Sequence, residues 1–379
     1  MIFSALSPLL RIPAVSGLTQ QTLLKMDAET AHGATITALR LGLAPEQSHP
    51  DGAELRTTLC GMELSNPVGM AAGFDKNAEV PRPLALLGFG MVEIGTVTPR
   101  PQSGNPKPRL FRIGQSEGVV NRMGFNNEGH DAAYARLKGL RVPAALGVNI
   151  GANKDSEDFV ADYVTGVSRF ADIADYLTAN ISSPNTPGLR NLQADEALRR
   201  LLGEILSARA KAKTRVPVFL KIAPDLDETA LDAIAKVVLA TDLDGLIVSN
   251  TTITRDAVAG QENASETGGL SGKPLFALST QRLAQMRQRV GSLPIIGVGG
   301  IHSPQSALAK IEAGADAIQL YSALVFGGLD LLDRIKRGLV AAVRAQGKTN
   351  IAELVGTKTD EWASHPQRHS RESGNLPFP

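Results

Sequence analysis

Apolar residues along the chain gather in short unbroken runs, each ending in Gly, Asn, Ser or Thr and each followed by a longer amphipathic stretch. The runs are Pro67 to Ala72, Met91 to Thr96, Ala144 to Ile150, Tyr176 to Ile181, Pro217 to Ile222, Gly245 to Ser249, Pro294 to Val298 and Ala317 to Tyr321. A strand buried on one face alternates apolar and polar positions, whereas a strand buried on both faces reads as a continuous apolar run. Helices between such strands predict a parallel sheet with its outer face covered. Eight units are the count of a closed (β/α)8 barrel, and a doubly wound open sheet is the alternative. Functional groups of a barrel sit at the C-terminal ends of its strands. At those ends the chain carries Asp75-Lys76, Thr96, Asn149, Asn180, Lys221, Asn250-Thr251, Gly299-Gly300 and Tyr321-Ser322, one polar set per strand.

The regular alternation has a preface, two interruptions and a tail. Leu18 to Met26 and Ala28 to Leu43 predict two short helices, the second opened by Asp27 as N-cap with Glu29 in its first turn. Ile2, Phe3, Leu6, Leu9, Leu10, Ile12, Val15 and Leu18 are more apolar side chains than so short a piece buries by itself. They either pack on the main domain or form a hydrophobic mouth or membrane-surface patch. Ala44 to Gly52 reads as a linker, which divides the chain into a helical segment (1–45), a barrel (46–356) and a tail (357–379) expected to be disordered. The interruptions run from Thr98 to Phe125 and from Arg255 to Pro274. Long loops after barrel strands are usually lids or walls of a site.

Composition removes several classes of function. The 379 residues carry a formal charge of +1 with no Lys/Arg run, which lacks the footprint of a nucleic-acid binder. Cys60 is the single cysteine, so no internal disulfide forms, and the six scattered histidines show no metal-ligand spacing. No run reaches the ~18 to 20 apolar residues of a membrane-spanning helix. The N-terminus lacks a charged leader and a clear cleavage site, and is read as retained.

What remains is a site made of amides, hydroxyls and two lysines. Asn180-Ile181-Ser182-Ser183-Pro184-Asn185-Thr186-Pro187-Gly188 sets two amides and three hydroxyls in a loop stiffened by two prolines. It has no His, Cys or carboxylate, so Ser183 or Thr186 takes a proton only where a strong electron acceptor, such as an oxidised flavin, eases the reaction. Ile296 to Ile301 is a Gly-rich turn at the seventh strand, where backbone amides approach an anion closely, and the loops after strands seven and eight are the usual phosphate site of this barrel class. Lys221 is a charge inside an apolar run, read as a solvated strand end, a cation beside a reduced flavin, or a Schiff-base nucleophile. Lys76 suits a substrate carboxylate. Asn121, Asn185, Asn250 and Thr251 suit a flat heterocycle with ring N–H and C=O groups. His32 and Arg112 stand outside the strand ends; taken alone they read as a surface histidine and a solvated strand residue.

Ala72 to Lys76, Glu93 to Pro99, Asn121 to Phe125, Asn180 to Thr186, Ser249 to Thr252 and Gly297 to Gly300 together resemble the quinone-dependent (class 2) dihydroorotate dehydrogenases, over about residues 18 to 356. The resemblance implies oxidation of dihydroorotate to orotate in pyrimidine biosynthesis, with one non-covalent FMN and a membrane quinone as acceptor. It implies an FMN site of Ala72, Gly73, Phe74, Asp75, Lys76, Thr96, Asn149, Asn180, Lys221, Ser249, Gly272, Gly300, Tyr321 and Ser322. The substrate would meet Lys76, Asn121, Arg122, Met123, Gly124, Phe125, Asn180, Asn185, Asn250 and Thr251. Ser183 would be the base, relaying its proton through Thr186 and a water screened by Phe125, and it stands where the soluble class 1 enzymes carry Cys. His32 and Arg112 match positions lining the quinone tunnel. The expected setting is a monomer bound peripherally at the cytoplasmic face of the bacterial inner membrane, with no metal and no nucleic acid. A class 1-like enzyme, an aldolase using Lys221, and a non-catalytic membrane module are the rival readings.

Overall fold

The computed structural model describes residues 20–43, 46–47 and 49–365. The apolar residues of 1–18 therefore lie outside the described residues. In chain order come α1 (20–25), α2 (Ala28–Arg40), a hairpin β1 (Thr57–Leu59) and β2 (Met62–Leu64), then β3 (Val68–Met70), α3 (Pro81–Leu86) and β4 (Met91–Val97). The first interruption follows as β5 (Leu110–Ile113) and β6 (Gly118–Asn121), and then α4 (Gly129–Leu137), β7 (Ala145–Ile150), α5 (Phe159–Phe170), β8 (Tyr176–Asn180) and α6 (Asp195–Ala210). The second half holds β9 (Val218–Ile222), α7 (Glu228–Leu239), β10 (Gly245–Val248), β11 (Gly269–Gly272), α8 (Phe276–Val290), β12 (Ile295–Val298), α9 (Pro304–Glu312) and β13 (Ala317–Leu320). Three helices close the described chain: α10 (Ser322–Gly327), α11 (Asp330–Ala345) and α12 (Thr359–Ala363).

Strands β3, β4, β7, β8, β9, β10, β12 and β13 form a closed parallel barrel in that order. All of their residues are buried, which is why each reads as an unbroken apolar run. Tyr176, Phe219, Met91 and Ile296 fill the interior, and Leu59 and Leu64 of the hairpin pack against the same cluster. Helices α5, α7 and α9 start where a side chain satisfies their free amides: Asp158 accepts from Val160, Asp227 from Ala230, and Ser303 forms a capping box with Ser306 ahead of Pro304.

The two interruptions join. β5, β6 and β11 make one three-stranded antiparallel sheet, with Leu270 opposite Val120 and Phe111 opposite Val120 on its other side. The long loops are thus a second small sheet whose strands come from segments about 150 residues apart in the chain (Ser271 pairs with Val119). Asp27 caps α2 as the sequence predicts, and Arg109 fastens that helix to the small sheet by a 2.8 Å ion pair with Glu29.

Part of the expected disordered tail is ordered. Residues 357–365 turn into α12, where Trp362 packs edge-on against Phe276 of α8 at 5.7 Å and Lys358 pairs with Glu312 at 3.0 Å. One large aromatic side chain docked on α8 is anchor enough for this piece. Residues 366–379 lie outside the described residues.

Candidate active site

A cavity of about 1000 Å³ opens over the C-terminal ends of the barrel strands and runs under the small sheet to α1 and α2. Ser183 enters it from the loop after β8, with only 5% of its surface exposed. Its Oγ accepts the N–H of Asn185 at 3.2 Å, a bond that favours negative charge on that oxygen. Thr186 lies behind it, buried, its Oγ1 without a hydrogen-bond partner among the described residues. Phe125 lines the cavity in a left-handed conformation (φ 52°), with its carbonyl held by Asn127 at 2.7 Å and by Gln102.

Amides are tied to one another so that each presents a fixed face. Asn180 donates to Thr96 Oγ1 and Asn149 Oδ1, both at 3.1 Å, while its own Oδ1 accepts from Ser182 Oγ at 2.9 Å and from Asn250 at 3.3 Å. Asn185 Nδ2 reaches the carbonyl of Asn121 at 3.2 Å, joining the loop after β8 to the small sheet. Below this layer the Glu93 carboxylate is fully buried and accepts from Asn149 at 2.7 Å, Gln319 at 2.8 Å and Tyr176 at 3.1 Å. Lys221 lines the cavity just above it. Burial lowers the pKa of its ammonium, the Glu93 charge opposes that shift, and it forms no ion pair among the described residues. Lys76 lines the same space, and burial brings it down to about 8.

At the β12 and β13 side, Gly299 (φ 106°) and Gly300 (φ 75°) take left-handed backbone that bares their amides. A Cβ on Gly300 would fall 2.3 Å from the Phe276 Cα. Ser322 Oγ and Ser271 Oγ lie 2.8 Å apart, so the small sheet closes over the start of α10. Gly272 lines the cavity there as well.

Toward α1 and α2 the lining becomes apolar, with Leu23, Ala31, Ala38, Leu39 and Leu43. His32 of α2 meets Tyr321 at the junction: its Nδ1 and the Tyr321 hydroxyl share a hydrogen bond at 3.2 Å, and Phe74 stands edge-on to both rings. Burial, helped by the Lys76 charge, pulls His32 down to about 3, so the ring is neutral at physiological pH. Arg112 also borders this passage, and its guanidinium donates to the carbonyls of Leu23, Leu24 and Met26 at the end of α1.

The chain matches the family model for dihydroorotate dehydrogenase over residues 54–343. The dihydroorotate dehydrogenase (quinone) of Allorhizobium ampelinum is 58% identical over 342 residues, covering 89% of this chain and 94% of the relative. That of Rhizobium johnstonii is 56% identical over 352 residues, 92% and 97% of the two chains. This chain belongs to the dihydroorotate dehydrogenases. Among solved structures, DHODH of Eimeria tenella in complex with ferulenol superposes with a TM-score of 0.84 at 39% identity, covering 87% of this chain and 95% of the other. The ligand-free form from the same organism gives 0.85 at 40%, covering 88% and 99%.

As a quinone-type dihydroorotate dehydrogenase it oxidises dihydroorotate to orotate in pyrimidine biosynthesis, with a flavin as its redox group and a quinone as acceptor. The aldolase, class 1-like and non-catalytic readings lapse with that assignment.

Most residues expected in a dihydroorotate dehydrogenase site line the cavity: Ala72, Gly73, Phe74, Lys76, Thr96, Asn180, Lys221, Ser249, Gly272, Gly300, Tyr321 and Ser322, with Asn121, Met123, Gly124, Phe125, Asn185, Asn250 and Thr251. Four side chains stand elsewhere, Thr186 among them, buried outside the lining. Asp75 is buried and accepts the amides of Glu79 and Val80 at 2.8 Å, so it shapes the turn after β3. Asn149 sits one layer down, between Glu93 and Thr96. The Arg122 guanidinium points away to Glu266 and the Phe111 ring, and its backbone pairs with Arg109 and Asn105.

Sequence reading missed Arg190. Its Nε donates to the Ser182 carbonyl at 3.0 Å, one Nη to Asp225 at 2.8 Å and the other to the Thr251 carbonyl at 3.1 Å, clamping the loop after β8 to the loop after β10. Its signal was a charge placed between Leu189 of the core and Leu192 packed against it, directly after the hydroxyl-rich loop. Glu93 offered a comparable signal as the one carboxylate within the second apolar run.

Proposed function

We propose that the cavity holds one non-covalent FMN, with its ring over Lys221 and the asparagine layer and its phosphate at Gly299-Gly300 and Tyr321-Ser322. The residues suit that group: a buried ammonium without an ion-pair partner among the described residues favours an anionic ring edge, and two left-handed glycines bare amides to an anion. FMN supplies a two-electron acceptor for the substrate's hydride and a donor to the quinone. Dihydroorotate lies against it, its carboxylate on Lys76 and its ring amides on Asn121, Asn185, Asn250 and Thr251. Ser183 takes the C5 proton. A free serine hydroxyl is too weak a base, so the Asn185 N–H steadies the charge that builds on Oγ while the hydroxyl's own proton passes on through Thr186 and a water behind Phe125. Low exposure of Ser183 and Thr186 keeps bulk water from that exchange.

The observation that carries this reading is the continuity of the cavity from Ser183 to the apolar faces of α1 and α2. A hydrophobic quinone enters there, and neutral His32 with Tyr321 and Arg112 lines its path to the flavin. Residues 1–45 are the quinone-binding and membrane-facing segment. Among the described residues no helix is long and apolar enough to cross a membrane. The protein is a monomer held peripherally at the cytoplasmic face of the bacterial inner membrane.

Denaturing the purified protein should release one FMN per chain, identified by its mass. Removal of residues 1–44 should leave a flavin that dihydroorotate still bleaches and that a soluble quinone reoxidises poorly. A colourless protein that FMN does not reconstitute contradicts the first statement, and unchanged quinone turnover contradicts the second.

A further inference from the structure

Behind the glycine turn lies a cation that neither the substrate nor the ring accounts for. Lys310 of α9 is fully buried and forms no ion pair among the described residues, and burial alone holds its ammonium well below the usual lysine range. Lysines are almost never so enclosed without a partner. Its Nζ donates to Ser279 Oγ at 2.6 Å, and that hydroxyl has the Gly299 carbonyl at 2.9 Å as its nearer acceptor and the Phe276 carbonyl at 3.2 Å as its farther one. The peptide from Gly299 to Gly300 is trans, so its carbonyl and its N–H point in opposite directions. A carbonyl turned back onto Ser279 turns the Gly300 N–H away from Ser279, and that N–H has no acceptor among the described residues. Gly299 and Gly300 both line the cavity, while Lys310 and Ser279 do not.

We infer that Lys310 is a positioning residue for the flavin phosphate: through Ser279 and the Gly299 carbonyl it polarises the Gly300 amide toward a bound dianion, whose charge is the counter-ion the ammonium lacks. The inference rests on the FMN reading above. Hydrogen bonds in a chain strengthen one another, and a buried chain ending in a cation biases its last donor toward an anion. The same arrangement gives Lys310 no leverage on the ring, which lies toward Lys221. Packing of the ammonium near the Phe276 ring, 5.7 Å away, is the purely structural alternative.

The two are separated by a ligand that differs from FMN only in its phosphate. Full-length protein freed of flavin is titrated with FMN and with riboflavin, following flavin fluorescence, for the wild type, Lys310→Met and Ser279→Ala. Lys310→Met should weaken FMN about 10- to 100-fold and riboflavin by less than about 2-fold, with Ser279→Ala in between. The flavin-free Lys310→Met protein should melt no lower than the wild type, because a buried charge without a partner has been removed. An unchanged ratio of FMN to riboflavin affinity in Lys310→Met overturns the inference, as does an equal loss of both. Should that variant fail to fold, an unchanged ratio in Ser279→Ala overturns it. A wild type that binds riboflavin as tightly as FMN instead defeats the phosphate reading itself.

Discussion

Arg190 offers a perturbation whose size follows from the geometry. Arg190→Ala removes a guanidinium that is 22% exposed and holds an 11% exposed Asp225 together with two backbone carbonyls. Breaking a fully buried pair costs about 3–5 kcal/mol, and partial exposure with remaining partners places this case at about 2–4 kcal/mol. Asp225 keeps the Thr252 hydroxyl and the Ile253 amide, which limits the loss. At about 2–4 °C per kcal/mol, the melting temperature should fall by about 4–16 °C. The greater consequence is for chemistry. Ser182 adjoins Ser183, and Thr251 belongs to the proposed substrate site, so releasing the clamp loosens both sides of the substrate at once. A misplacement of about 1 Å costs roughly 100-fold in rate, and flavin reduction should slow by that order with FMN still bound. Arg190→Lys keeps the charge and loses the fork, so it should fall between the two. The assays are thermal unfolding and anaerobic stopped-flow reduction by dihydroorotate. An Arg190→Ala protein that melts normally and reduces its flavin at the wild-type rate refutes the clamp.

Two further outcomes follow from titrating groups. Lys76 carries its charge below about pH 8 and loses it above, so orotate affinity, read from the shift of the flavin spectrum, should decline as pH rises past about 8, and Lys76→Met should bind weakly at every pH. A flat profile in the wild type contradicts a carboxylate on Lys76. His130 is buried edge-on against Phe170 at 5.2 Å, and burial lowers its pKa from 6.5 to about 4. Between those values the unfolded chain holds a proton that the folded one lacks, so stability drops as pH falls through that window. His32, lowered to about 3, adds in the same direction. His130→Phe should flatten the decline in melting temperature between about pH 7 and 5, and an unchanged slope refutes the assignment.

The barrel was legible because every one of its strands is buried on both faces, a condition that writes itself into the chain as an apolar run. Polar residues at the run ends were legible as a site for the same reason: packing offers no use for Lys221 or Asn180 there. The resemblance to a known family then assigned roles that spacing alone left open, as with Ser183. What stayed hidden depends on partners remote in sequence. Glu93 meets Gln319 across 226 positions, and Lys310 meets Ser279 across 31, neither pair marked by any local pattern. The small sheet escaped because β11 pairs with a strand about 150 residues earlier. Side-chain direction was equally invisible, so Arg122 and Asp75 were placed in the site although their charged groups serve the loops around it.

Ser183 is proposed to receive the C5 proton, and anaerobic stopped-flow reduction of Ser183→Ala by dihydroorotate tests that role most directly. The variant should retain FMN and bleach roughly 100- to 10,000-fold more slowly than the wild type, the range expected for removal of a general base. Bleaching at a near-normal rate would contradict it.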